Sequence, residues 1–72
     1  FKIGDRSAEV QKMQRILEAV IPGCLPKYGA DGDFGSETSQ AVYLVQSKLN
    51  IARDHLYGPK TQAACKKYLG DI

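Results

Sequence analysis

An eight-residue phrase occurs twice in this chain, and its recurrence narrows the architectures open to it. Residues 31–38 read Asp-Gly-Asp-Phe-Gly-Ser-Glu-Thr, and residues 54–61 read Asp-His-Leu-Tyr-Gly-Pro-Lys-Thr. Both fit Asp, two free positions, an aromatic, Gly, Ser or Pro, a charged residue and Thr. Each leads into a stretch whose apolar residues fall at helical spacing. A second repeat overlaps the first: Val10, Met13, Gln14 and Leu17 recur as Val42, Val45, Gln46 and Leu49. A short chain that repeats both the approach to a helix and the helix face is built from duplicated helical units.

The local signals divide the chain into three helices. Ser7 is a cap for the first, with Glu9 in the first turn, where a negative charge is favoured. Val10, Met13, Leu17 and Val20 form its apolar stripe, and Pro22-Gly23 ends it. Residues 22–35 hold two Pro and four Gly and read as a loop. The second helix starts near Ser36 and runs to about Asn50, with Ala41, Val42, Val45 and Leu49 as its stripe. Gly58-Pro59 opens the third, with Pro at the first helical position, where its missing amide costs nothing. Thr61, Ala64, Cys65 and Tyr68 are its expected inner face, and Gly70 ends it. No alternating strand pattern is present. The predicted fold is all-α, a compact three-helix bundle with duplicated loops leading into its helices.

The 72 residues make one domain, residues 1–72, with a single core; such a chain buries only ~60% of its unfolded surface. The start at Phe1 gives the expectation of a module from a longer protein. No stretch is apolar for long enough to span a membrane, and no signal peptide is present. The net charge of +2 suits an anionic or mixed polymer without requiring nucleic acid. Cys24 and Cys65 allow one bridge, from the loop after the first helix to the third. Set against this, Cys65 aligns with Val42 in the repeat, which reads as a small buried hydrophobe. One His and no close Cys pair give no zinc site, and neither metal nor cofactor is expected.

The repeated phrases have a structural reading. Asp31 and Asp54 can fold their loops back and satisfy amides. Gly35 and Gly58 permit backbone angles that a side chain resists. Phe34 and Tyr57 can tuck under the following helix, and Thr38 and Thr61 can bond back within its first turn. Gln14 and Gln46 border apolar stripes, where an unpaired amide costs ~1–3 kcal/mol, so both read as fasteners bonded to loop backbone. Catalytic groupings are missing. His55 has no nucleophile beside it, and Glu9, Glu18 and Glu37 fall at first-turn or solvent-facing positions. Gly29, Gly32 and Gly35 follow no strand and make no phosphate loop.

The order of these motifs resembles the small three-helix peptidoglycan-binding domain, type 1. That family reads as a helix with V-x-x-L-Q-x-x-L, then D-G-x-[FVY]-G-x-x-T, then A-V-x-x-F-Q, then a second D-G-x-x-G-x-x-T. Here the slots hold Val10, Met13, Gln14 and Leu17; Asp31, Gly32, Phe34, Gly35 and Thr38; Ala41, Val42, Val45 and Gln46; and Asp54, Tyr57, Gly58, Pro59 and Thr61. Val45 replaces the usual aromatic, His55 replaces Gly, and residues 22–30 lengthen the usual connection. The resemblance implies a non-catalytic module that targets an attached cell-wall hydrolase, such as an endolysin or autolysin, to peptidoglycan. It implies a place at the bacterial envelope or outside the cell, or release from a phage. A monomer without nucleic-acid or membrane partners is expected.

For the ligand, the core stripes leave Tyr28, Tyr43, Leu44, Arg53 and His55 as the candidate surface. An aromatic ring can lie on a sugar face or peptide stem, and Arg can pair with a carboxylate. Two other classes stand beside this reading. One is a protein-interaction or inhibitory prodomain of a metalloprotease-like enzyme, against which Cys24 sits mid-domain. The other is a helical nucleic-acid binder, against which the third helix offers Lys60, Lys66 and Lys67 but only Gln62 for reading bases.

Overall fold

The computed structural model describes residues 1–70. Three helices follow one another: α1 (Ala8–Val20), α2 (Ser36–Lys48) and α3 (Pro59–Tyr68). The Ser7 hydroxyl accepts the Val10 amide at 3.1 Å, which sets the start of α1. Pro59 occupies the first turn of α3. The second helix stops two residues short of the expected Asn50. Asn50 adopts φ +58, and the Ile51 amide turns back to the Gln46 carbonyl at 3.0 Å. That closure satisfies end carbonyls of the helix, and Asn tolerates the left-handed geometry it needs.

α1 packs against both other helices. Its Val10, Met13, Leu17 and Val20 meet Ala41, Val42 and Val45 of α2 and Cys65 of α3 in one buried cluster. Phe34 and Tyr57, from the two repeated phrases, complete it from the loops. Each fully buried large apolar side chain contributes about 1.5–3 kcal/mol, so the core depends on loop residues as well as helix stripes. Cys24 and Leu25, inside the long loop, are also buried. Leu49 is only partly buried at the margin of the cluster.

The third helix departs from its expected inner face. Thr61 and Cys65 are buried, Ala64 is half-buried, and Tyr68 is 51% exposed. The bundle ends before Tyr68 reaches the core. Its ring lies beneath the Lys48 ammonium, 5.6 Å from the ring centroid, which links the last turns of α3 and α2. Cys24 and Cys65 are separate free thiols, so the bridge reading is replaced by the buried-hydrophobe one. Burial pushes Cys24 up to about 11, aided by Glu18 and Glu37, and raises Cys65 as well. Neither is a thiolate nucleophile near neutral pH.

Residues 1–6 form a strap across both repeats. Phe1 and Tyr57 exchange backbone bonds: the Phe1 amine donates to the Tyr57 carbonyl at 2.9 Å, and the Tyr57 amide donates to the Phe1 carbonyl at 3.0 Å. In the other repeat, the Gly4 amide donates to the Phe34 carbonyl at 3.0 Å, and the Phe34 amide donates to the Asp5 carbonyl at 2.9 Å. An isolated antiparallel bridge joins Arg6 and Asp33.

Gly32 sits where this strap runs into α1. Its φ is +79, and an added Cβ would stand 3.2 Å from the Ser7 carbonyl oxygen. Both the backbone angle and the space resist a side chain. Gly32→Ala is therefore expected to lower stability by about 1–3 kcal/mol, read from denaturant melts. A wild-type midpoint would show that the corner is free to open.

Candidate functional site

Two glutamine side chains organise the turns that lead directly into α2 and α3. The Gln14 side-chain nitrogen donates to Asp31 Oδ1 at 3.1 Å, the Asp33 carbonyl at 3.0 Å and Thr38 Oγ1 at 2.8 Å. Its oxygen accepts the Gly32 amide at 2.8 Å. Gln46 repeats the pattern. Its nitrogen donates to Asp54 Oδ1 at 2.8 Å, the Leu56 carbonyl at 3.0 Å and Thr61 Oγ1 at 3.1 Å, and its oxygen accepts the His55 amide at 3.2 Å. Both glutamines are wholly buried. Two N–H groups serve three acceptors in each case, so the bonds are shared. The surroundings define the amide orientation, because a carboxylate must face the NH2 and a backbone N–H must face the oxygen.

The aspartates complete these corners. Asp31 Oδ1 accepts the Asp33 amide at 3.0 Å, and Asp54 Oδ1 accepts the Leu56 amide at 2.9 Å. The amides satisfied belong to the loops. The helix N-cap positions are Gly35 and Gly58, in extended backbone with no side-chain cap; with φ −105 at both and open space around an added Cβ, neither needs glycine's freedom, contrary to the sequence expectation. Thr38 and Thr61 are buried; each hydroxyl lies 3.4 Å from a loop carbonyl, of Asp33 and Leu56 respectively. The Asp33 amide first and Gln14 second hold the Asp31 carboxyl below its usual range. The Leu56 amide and then Gln46 do the same for Asp54. Burial raises the Tyr57 phenol, whose hydroxyl is buried without a hydrogen-bond partner and neighbours Cys65.

Four of the five candidate ligand residues, Tyr28, Tyr43, Leu44 and His55, fall around the outer face of α2. Ser36, Gln40, Leu44 and Ser47 are exposed there, and Tyr43 is half-buried. On one flank, His55 stacks on Tyr43 with ring centroids 4.9 Å apart and an interplanar angle of 23°. Its Nδ1 lies 3.2 Å from Ser39 Oγ and 3.3 Å from the Ser39 carbonyl oxygen. On the other flank, Tyr28 and Leu44 line one hollow of about 490 Å³ with Cys24 and Glu37. Tyr28 is 63% exposed, with Lys27 Nζ 5.6 Å from its ring centroid. Arg53 is exposed two residues before His55. Among the described residues the one ion pair is Arg6–Asp33 at 3.4 Å, so the Arg53 guanidinium has no carboxylate partner. The structure thus joins Tyr43 to His55 and Tyr28 to Leu44, with the face of α2 between the pairs.

His55 has φ +62, in the left-handed region. A non-glycine residue there costs about 1–2 kcal/mol, which the surrounding contacts must offset.

Two features were not read from the sequence. Glu37 is no free surface carboxylate: its oxygens accept the Lys27 and Tyr28 amides, each at 2.9 Å, and pin the long loop to the first turn of α2. Its loop partners stand nine and ten residues away, beyond any local pattern. In addition, Phe1, Met13, Ile16, Tyr57 and Pro59 wall a mainly apolar hollow of about 520 Å³ between α1 and the start of α3. Helical spacing could assign Met13 to the core but could not bring Phe1 to it. Among the described residues no group of His, Cys, Asp or Glu is placed to hold a metal ion, and no helix is long and apolar enough to cross a membrane.

A carboxylate with a lower pKa in the folded state contributes stability above its unfolded value, ~3.9, and loses it as pH falls through the folded value. The melting temperature is therefore expected to hold above about pH 5 and fall progressively below about pH 4. Asp31→Asn and Asp54→Asn should each lower the neutral-pH midpoint and flatten this acid limb. An unchanged limb in both variants would remove the carboxylates from the account.

Comparison with known proteins gives a family and two relatives. The family described as "Putative peptidoglycan binding domain" matches residues 6–64. Two proteins of Bacillus licheniformis, named "Probable N-acetylmuramoyl-L-alanine amidase" and "N-acetylmuramoyl-L-alanine amidase CwlL", are each 46% identical over 64 residues. In both cases the match covers 89% of this chain and 18% of the relative. No solved structure gives a significant match.

Proposed function

The chain belongs to the peptidoglycan-binding domain family, and from that membership we propose that it holds a longer protein on the bacterial cell wall and performs no chemistry itself. The family match over residues 6–64 carries this reading, since it spans both glutamine corners and all but the last turn of α3. The chain corresponds to less than a fifth of the relatives' length, so their reaction belongs to other parts of those proteins. Their names make an amidase the first candidate for the longer protein here. Its place of action would then be the cell wall or the medium outside the cell, whether the producer is a bacterium or a phage.

Tethering explains why a shallow surface is sufficient. Weak binding by a linked module turns the second encounter, between enzyme and wall, into an intramolecular one. The ligand surface proposed is the outer face of α2 with its two flanks: Tyr28, Tyr43, Leu44, Arg53 and His55. The Arg53 guanidinium, which has no carboxylate partner among the described residues, suits a stem-peptide carboxylate, and the aromatic flanks suit a sugar or peptide face. Asp31, Gly35, Thr38, Asp54, Gly58 and Thr61 shape the loops that carry this surface and do not touch ligand.

The isolated domain is expected to cosediment with purified sacculi and to release no soluble muropeptides. Failure to pellet with sacculi from several species would refute the binding role, and hydrolysis by this chain alone would refute its passivity. Tyr43→Ala and Arg53→Ala should each weaken pelleting; for Arg53→Ala the stability change should stay within about 0.5 kcal/mol, the usual limit for surface positions. Unchanged pelleting in both variants would move the ligand elsewhere.

A further inference from the structure

Resting on the cell-wall reading above, we infer that His55 is the residue that contacts a sugar ring of the glycan strand, with Tyr43 and Ser39 as its positioning residues. The duplication makes the argument, because the two corners can be compared within one chain. Ser7, Gln11, Gln14 and Gly32 of the first correspond to Ser39, Tyr43, Gln46 and His55 of the second. Positions 32 and 55 both have positive φ, +79 and +62, and both donate their amide to the oxygen of the corner glutamine. The backbone demand is the same at both. Glycine meets it without strain in the first corner; the second holds a histidine against that preference. The imidazole is therefore what position 55 supplies.

The first corner could not carry such a ring. A side chain at position 32 would press on the Ser7 carbonyl. Gln11 turns instead to the Ala30 carbonyl at 2.9 Å, and Arg6 is paired with Asp33. In the second corner the ring is held on two sides. One face lies on Tyr43, and Nδ1 meets Ser39. With its proton on Nδ1, directed at the Ser39 carbonyl, Nε2 is left as an acceptor. His55 remains exposed, so the outer face and that nitrogen are its free parts. A flat face beside a fixed acceptor is complementary to a pyranose, which offers C–H groups on its face and hydroxyls at its rim. Tyr43 has one face covered by the imidazole and acts through it. Two supports immobilise the ring before binding, which lowers the entropy lost when ligand arrives.

His55→Gly tests this without sacrificing the fold, since glycine suits the backbone there. The variant is expected to melt at or above the wild-type temperature yet lose roughly tenfold or more in affinity for sacculi. Tyr43→Ala should weaken binding in the wild type but add little in the His55→Gly background, because it acts through the same ring. A soluble chitin oligosaccharide should compete with sacculi for the wild type. If His55→Gly folds and binds sacculi like wild type, the inference fails while the cell-wall reading stands. If Tyr43→Ala costs the same in both backgrounds, its positioning role fails. If His55→Gly loses binding but the oligosaccharide does not compete, the sugar assignment is overturned. A wild-type domain that ignores sacculi refutes the broader reading instead.

Discussion

Two buried primary amides hold the loops of this domain in place. Each of Gln14 and Gln46 sits on a helix and reaches into the loop that leads to the next one. The chain is too small to enclose these loops by apolar burial alone. A side-chain amide offers two donors and an acceptor at a single point, so it can satisfy a carboxylate, a carbonyl, a hydroxyl and an amide together. Loss of either glutamine would take a partner from a buried threonine hydroxyl, Thr38 or Thr61, and from the loop amide of Gly32 or His55. The aromatic residues then follow. Phe34 and Tyr57 enter the core at the same point of each corner, and the strap of residues 1–6 binds the backbone of both.

Much of this arrangement was legible because it repeats. Helix spacing located Val10, Met13, Leu17, Val42 and Val45, since local periodicity and burial share one cause. The fastening role of the glutamines was legible because a buried amide must find partners. The limits were those of non-local geometry. Leu25 enters the core from an irregular loop that has no period to reveal it. Tyr68 keeps the spacing of an inner face, but the bundle ends beneath it. The bonds from Glu37 to Lys27 and Tyr28, and the pairing of Phe1 with Tyr57, depend on loop path. At the candidate site, the replacement of glycine by His55 was visible in the repeat. The stack on Tyr43 and the contact with Ser39 were not, because they need the left-handed backbone to aim the ring.

The same economy bears on function. The corners order the surface through side-chain hydrogen bonds, with Cys24 and Cys65 as separate free thiols. Their near equivalence makes their differences informative. One corner is closed by a glycine set tightly against the Ser7 carbonyl. The other sets an aromatic and an imidazole side by side on the flank of α2. A preordered surface of this kind suits repeated weak contact with a polymer whose units recur, where a linked module gains by rebinding.

The most direct test is backbone and side-chain chemical-shift mapping of the isotope-labelled domain during titration with soluble muropeptides. The account predicts the largest, saturable perturbations at Ser39, Tyr43, Arg53 and the His55 ring, with the Gln14 and Gly32 corner unmoved. Perturbations centred on Met13, Ile16 and Gln62, or on Lys66 and Lys67, would contradict it and place the ligand on a different surface.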